Sequence, residues 1–172
     1  MPFFDILKKF AVSHDWLTGK LKTGAIDDAS MIEDDLVPGA KLTESARARV
    51  VTVLIPAVGQ GTEDEIPVFV APVDCTITKV GFVPEDNITG ADTDYMTLGF
   101  VNKGSDGTGT DSIASKDYTS GNGVAAFDFE DLGTVSNAEL SAGDVVSFSK
   151  TESGNGMALP RLLAVIVYEV TD

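Results

Sequence analysis

Two stretches decide the fold: RARVVTVLIP at Arg47–Pro56 and LLAVIVYEV at Leu162–Val170. Both are rich in Val, Ile and Leu, side chains that fit a pleated surface. Neither alternates with polar residues, so neither has a face made for water. They are strand-length and far short of the ~20 apolar residues that a membrane span needs. Runs of this kind predict strands that pair with each other at the centre of a sheet.

The chain between them is punctuated as an all-β block. Ile66–Ala71 (IPVFVA) reads as a short strand, and Pro67 and Pro72 confine it to an edge or to positions whose N–H faces away. Cys75–Val83 alternates well, and Tyr95–Asn102 (YMTLGFVN) is a further strand. Weaker strands are expected at Ser112–Lys116, Val124–Phe129 and Gly133–Val135. Ser141-Ala142-Gly143-Asp144 is a tight turn that launches Val145–Ser149. About eight or nine short strands at ~8–12-residue spacing, with no helical pattern among them, predict an antiparallel β-sandwich of jelly-roll type.

The first 49 residues differ. Phe3, Leu7, Phe10, His14, Leu17 and Leu21 recur at alternating spacings of four and three, the seam of a helix that packs on another helix. Phe4 and Trp16 widen that face, while Gly19 weakens its last turn. Residues 1–22 are therefore expected to form a short amphipathic helix. It either lies on the chain's own β block or docks on a partner. Residues 23–49 read as an extended acidic spacer, and residues 50–172 as the sandwich domain.

Charge follows the same division. The 172 residues carry a formal net charge of −15. Residues 1–49 hold seven basic and eight acidic residues, whereas residues 50–172 hold five and nineteen, a net −14. A surface this acidic repels nucleic-acid phosphates and anionic lipid, so neither nucleic acid nor membrane is an expected partner. The start of the chain, MPFFDILKKF, puts its lysines after the apolar residues and includes Asp5, the wrong order for a signal peptide.

No catalytic or metal-binding pattern is expected. His14 is the single histidine, which leaves no Ser-His-Asp set without a reach from the arm to the block. Cys75, the single cysteine, sits in an alternating strand as a small packed side chain. Asp86, Asp92 and Asp94, and separately Asp106 and Asp111, lie in Gly/Asn/Thr-rich loops without EF-hand spacing, and read as Asx turns. GSDGTGT (104–110) lacks the lysine and helix of a phosphate loop. No cofactor and no metal is expected.

Two resemblances extend this reading. The spacer holds Gly24-Ala25-Ile26 and Gly39-Ala40-Lys41, fifteen residues apart, with apolar residues between them. It resembles the short repeats of phage fibre proteins, in which three chains wind together and bury an apolar stripe. The segments IPVFVAPVDCTITKVGFVP (66–84), NITGADTDYMTLGFVNKGSDGTG (87–109) and LSAGDVVSFSKTESGNGMALP (140–160) resemble a β-sandwich module of tailed-phage head fibres and capsid decoration proteins. These resemblances imply a non-enzymatic virion protein on the outer surface of the capsid, a homotrimer seated on the major capsid protein by an N-terminal arm. The partner-binding residues implied are Phe3, Phe4, Leu7, Phe10, Trp16 and Leu17, with trimer contacts at Ile26, Ile32, Leu36 and Leu42. The alternative is a tail, collar or vertex fibre whose sandwich is a receptor- or carbohydrate-binding head, with at most weak contact to a host surface. A cellular jelly-roll enzyme or lectin is the third reading, and the single His and scarce aromatics argue against it.

Overall fold

The computed structural model describes residues 47–171 and, of the first part, the backbone of His14–Asp15 and Lys20–Leu21. The chain divides into two units, Met1–Thr43 and Glu44–Asp172.

In the first unit, β1 (His14–Asp15) and β2 (Lys20–Leu21) pair antiparallel, with His14 opposite Leu21 and Asp15 opposite Lys20. This corrects the expected continuous helix over residues 1–22, because these four residues are extended. Gly19 lies just before the return strand, and glycine costs a helix interior about 1 kcal/mol relative to alanine. Antiparallel pairing of these four residues instead satisfies their backbone groups between the two strands. The remainder of the expected helix, and the spacer up to residue 46, lie outside the described residues.

The second unit is an antiparallel sandwich of two sheets. Its strands are β3 (Ala48–Ile55), β4 (Asp64–Val70), β5 (Cys75–Pro84), β6 (Tyr95–Gly104), β7 (Asp111–Asp117), β8 (Glu130–Asp131), β9 (Glu139–Leu140), β10 (Val145–Ser153) and β11 (Leu162–Val170). One sheet runs β4-β10-β6-β7 and the other β3-β11-β5-β8, with β9 also pairing β5. The first strand of the block thus pairs the last, the second the second-last, β5 pairs β8 and β9, and β6 pairs β7. That nesting is an antiparallel ribbon rolled up on itself, the jelly roll expected from the turn spacing.

The strand limits differ from expectation between residues 124 and 140. The stretches at 124–129 and 133–135 are not strands. Val124 makes only an isolated bridge to Ile88, and pairing with β5 falls instead to Glu130–Asp131 and Glu139–Leu140. Two-residue strands carry no alternation to read. Pro67 lies on β4, which is an edge strand, so its missing N–H costs no ladder bond on the open side. The turn at Ser141–Asp144 forms as expected. The Ser141 N–H donates to Asp144 Oδ2 at 2.9 Å, and Gly143 supplies the left-handed backbone at φ 92°.

The core lies between the sheets. Phe82 of β5 meets Phe148 of β10 edge-on at 6.4 Å between ring centroids, and Phe148 meets Phe100 of β6 at 5.4 Å. Phe82 also packs on Tyr118, at 6.1 Å. Such edge-to-face pairs contribute about 0.5–1.5 kcal/mol each beyond area burial. Cys75 is buried, as its place in an alternating strand suggested.

Candidate interaction surface

The strands β3 and β11 do pair, with Val51 opposite Ile166 and Leu54 opposite Leu163. Only β11 is central. β3 takes the edge of its sheet, which corrects the expectation that both lie at its centre. The rolled-up order leaves the first strand one neighbour. The two layers of a sandwich then cover only the inner side of each sheet.

The inner side of this sheet carries Ile55, Leu162, Ala164, Ile166, Ile77 and Phe82, all fully buried. The outer side is apolar as well. Val50, Thr52 and Leu54 of β3 lie opposite Val167, Val165 and Leu163 of β11, which in turn lie opposite Lys79, Gly81 and Val83 of β5. Val50 and Leu54 are 61% and 60% exposed. The outer side of the other sheet is more polar: Ser147, Ser149, Thr151, Thr97 and Ser115 lie there beside Pro67, Val101 and the exposed Val70, with Glu65 bound to Ser147 Oγ at 2.6 Å. An antiparallel sheet normally presents such a polar face to water, and an apolar one marks a contact surface.

Two phenylalanines extend the apolar face. The Phe129 ring lies over Gly81, where β5 carries no side chain, and Lys79 Nζ stands 5.0 Å from the ring centroid. Phe127 is 75% exposed and holds a left-handed backbone at φ 63°. Bulky residues rarely adopt that conformation. The chain entering it is held by two bonds: the Phe127 N–H donates to the Pro84 carbonyl at 2.8 Å, and the Ala126 N–H to Asn87 Oδ1 at 2.8 Å. Beside it lies a groove of about 300 Å³ lined by Leu54, Val83, Pro84, Phe127, Leu163 and the Arg161–Glu85 pair.

Charge on this face is cancelled locally. Arg161 donates two bonds to Glu85, Nε to Oε2 at 2.7 Å and Nη2 to Oε1 at 2.6 Å. The hydrogen bonds from the Arg161 guanidinium hold the Glu85 carboxyl below its usual range, against the opposing effect of burial. Lys79 pairs with Asp131 at 2.9 Å, and that bond, with one from the Gly133 N–H, lowers the Asp131 pKa. Arg47 stands 3.9 Å from Glu169.

The ten residues expected to bind partners or form trimer contacts, Phe3, Phe4, Leu7, Phe10, Trp16, Leu17, Ile26, Ile32, Leu36 and Leu42, all lie outside the described residues. The face centred on Val50, Leu54, Leu163, Phe127 and Phe129 was not anticipated. Its signal is present in the two strands that lack a polar side, a pattern that a central position in the sheet explains equally well. Of the Asp-rich loops, that at Asp106 is bonded within itself, whereas Asp94 is tied to a residue distant in sequence. Asp106 Oδ1 accepts from both the N–H and the hydroxyl of Thr108, which lowers its pKa, and Asp94 Oδ1 accepts from the Asn155 N–H at 2.8 Å. Among the described residues, no three His, Cys, Asp or Glu side chains converge to hold a metal ion.

No family model and no curated protein matches the chain. Solved structures similar to it come from infectious bursal disease virus. A chain of the Gx strain structure is 12% identical at TM-score 0.29, covering 72% of this chain and 38% of that one. A chain of the Gt strain structure is also 12% identical, at TM-score 0.30, covering 73% and 37%. A chain of the T13 viral particle is 12% identical at TM-score 0.30, covering 72% and 35%. This chain therefore spans little more than a third of those chains. At that degree of superposition the likeness says nothing about function.

Proposed function

We propose that this chain is a non-enzymatic structural protein of a tailed-phage virion, a decoration or head-fibre protein on the outer capsid surface. The observation that carries the reading is the pairing of an acidic jelly-roll block with one apolar, charge-cancelled sheet face. Jelly rolls serve viral shells, lectins and cupins alike. An exposed sheet face of Val, Leu and Phe suits the building of an assembly more than the binding of a polar sugar or metal. The N-terminal part supplies a second attachment, through Phe3, Phe4, Leu7, Phe10, Trp16 and Leu17 on the major capsid protein and Ile26, Ile32, Leu36 and Leu42 between chains of a homotrimer. Modest contacts multiplied by symmetry then sum to tight attachment.

The test is the copy number in purified particles, measured by quantitative mass spectrometry. Decoration requires a stoichiometry on the order of that of the shell subunits, set by its symmetry. A number far lower places the protein at the tail, collar or a vertex, and absence from particles overturns the virion reading. Deleting residues 1–22 is expected to abolish binding to undecorated heads while the block stays folded.

A further inference from the structure

We propose that the outer face of the β3-β11-β5 sheet docks a second copy of this chain, face to face about a two-fold axis, with each Phe127 seated in the other copy's groove. The inference rests on reading that face as a contact surface, not on the virion assignment.

Three observations choose a copy over another partner. The first is charge. The block carries a net −14 from residue 50 onward, so two copies repel each other over most of their surfaces. On this face Glu85, Asp131 and Glu169 are each paired with a cation, which removes the repulsion where the copies would meet. The second is shape. Knob and hole adjoin, since Phe127, 75% exposed, forms one wall of the groove that Leu54, Val83, Pro84 and Leu163 complete. A surface that carries both is self-complementary, as an isologous contact requires. The third is Phe127 itself. A ring 75% exposed contributes little to the fold of its own chain, yet the residue is held at φ 63°, where glycine would sit without strain. The benefit that keeps phenylalanine there lies outside the isolated domain.

The experiment is sedimentation equilibrium of the full chain over a range of concentrations, comparing wild type with Leu54→Glu and Phe127→Gly. Thermal melting of each variant is followed in parallel. The expected result is a lower mass for both variants, by about twofold where the two-fold contacts close the assembly, because the isologous contact is removed. Phe127→Gly is expected to melt no lower than wild type, since its backbone relaxes. Equal masses for all three proteins overturn the inference. So does a loss of binding to undecorated heads without a change of mass, which would assign the face to the shell and leave the virion reading standing. If Phe127→Gly melts lower, Phe127 serves the fold and Leu54→Glu decides alone.

Discussion

The Phe129 ring fills the place of the side chain that Gly81 lacks: a Cβ at Gly81 would stand 2.7 Å from Phe129 Cζ. The same Cβ would run into the Glu130 carbonyl oxygen, part of the short strand β8 whose Asp131 pairs with Gly81. The ring can swing aside, but the backbone can yield only by parting β8 from β5. Gly81→Ala should therefore destabilise the block by about 1–3 kcal/mol, the usual range for overpacking. Urea denaturation would read this as a lower midpoint. An unchanged midpoint would show that β8 gives way freely. Phe129→Leu, which relieves only the ring, should not rescue Gly81→Ala.

A second pair lies at the end of the sandwich. Lys150 points inward from β10, 1% exposed, and pairs with Glu152, which is 8% exposed. Lys150 Nζ also donates to the Thr62 carbonyl at 2.7 Å, and Glu152 Oε2 accepts from the Met157 N–H at 2.7 Å. The pair thus ties the loops on both sides of it to the strand. Burial pulls the Lys150 pKa down, opposed by Glu63 and Asp64. Lys150→Met leaves a buried carboxylate alone and should cost about 3–5 kcal/mol. Lys150→Met with Glu152→Leu should cost clearly less than the sum of the two single changes. Additive losses in that double-mutant cycle would mean the two side chains act independently.

Gly156 reports on the same pair from the opposite side. It lies at φ 68°, and a Cβ there would collide with the Glu152 carboxylate. Gly156→Ala adds left-handed strain to displacement of a buried acid, so it should destabilise by more than the ~1 kcal/mol typical of a turn glycine. Combined with Glu152→Ala, its added effect should shrink to the strain alone, measured as the difference in thermal melting.

Alkaline unfolding should be controlled by Tyr118. Its phenol is buried against Phe82, and burial first, then the charge of Glu130, pushes its pKa far above the ordinary value of 10.0. A raised folded pKa means the associated stability is intact below the unfolded pKa and is lost as pH rises above it. The block should lose stability from about pH 10 upward, and the phenolate absorbance of Tyr118 should appear only with unfolding. Tyr118→Phe should flatten that alkaline loss. A Tyr118 signal in the folded protein at the ordinary pH would overturn this.

Acid acts in the opposite sense on Asp131. Lys79, with the Gly133 N–H, lowers its folded pKa. The stability it contributes is present above the unfolded value of 3.8 and disappears as pH falls through the folded one. The group is 45% exposed, so solvent screens the pair and the effect is small. The gap between wild type and Asp131→Asn in urea midpoint should narrow between about pH 6 and pH 3. A gap that stays constant would assign the difference to something other than this charge.

Much of the fold was legible because its signals are local. Alternation in Cys75–Val83, the proline that confines Ile66–Ala71 to an edge, and the Ser-Ala-Gly-Asp turn each dictate backbone geometry within a few residues. The extended pair at His14–Asp15 and Lys20–Leu21 was not legible, because a seam spaced by three and four fits a helix equally well. The short strands Glu130–Asp131 and Glu139–Leu140 were not legible either. They are strands only because β5 offers open backbone groups beside them.

The contact surface shows most clearly where the division falls. By itself the sequence determined that the strands at 47–56 and 162–170 lack a polar side, that the block is a strongly acidic β-sandwich, and that Phe127 and Phe129 are available. It could not say which apolar residues are buried by the chain's own layers. Hydrophobicity is a property of each residue, while burial depends on which neighbours cover it. Only the tertiary order β3-β11-β5-β8, which puts the first strand on an edge and gives the sheet one covered side, left Val50, Leu54 and Leu163 facing outward. Only that same order gathered Pro84, Phe127 and Arg161 into one groove from distant parts of the chain.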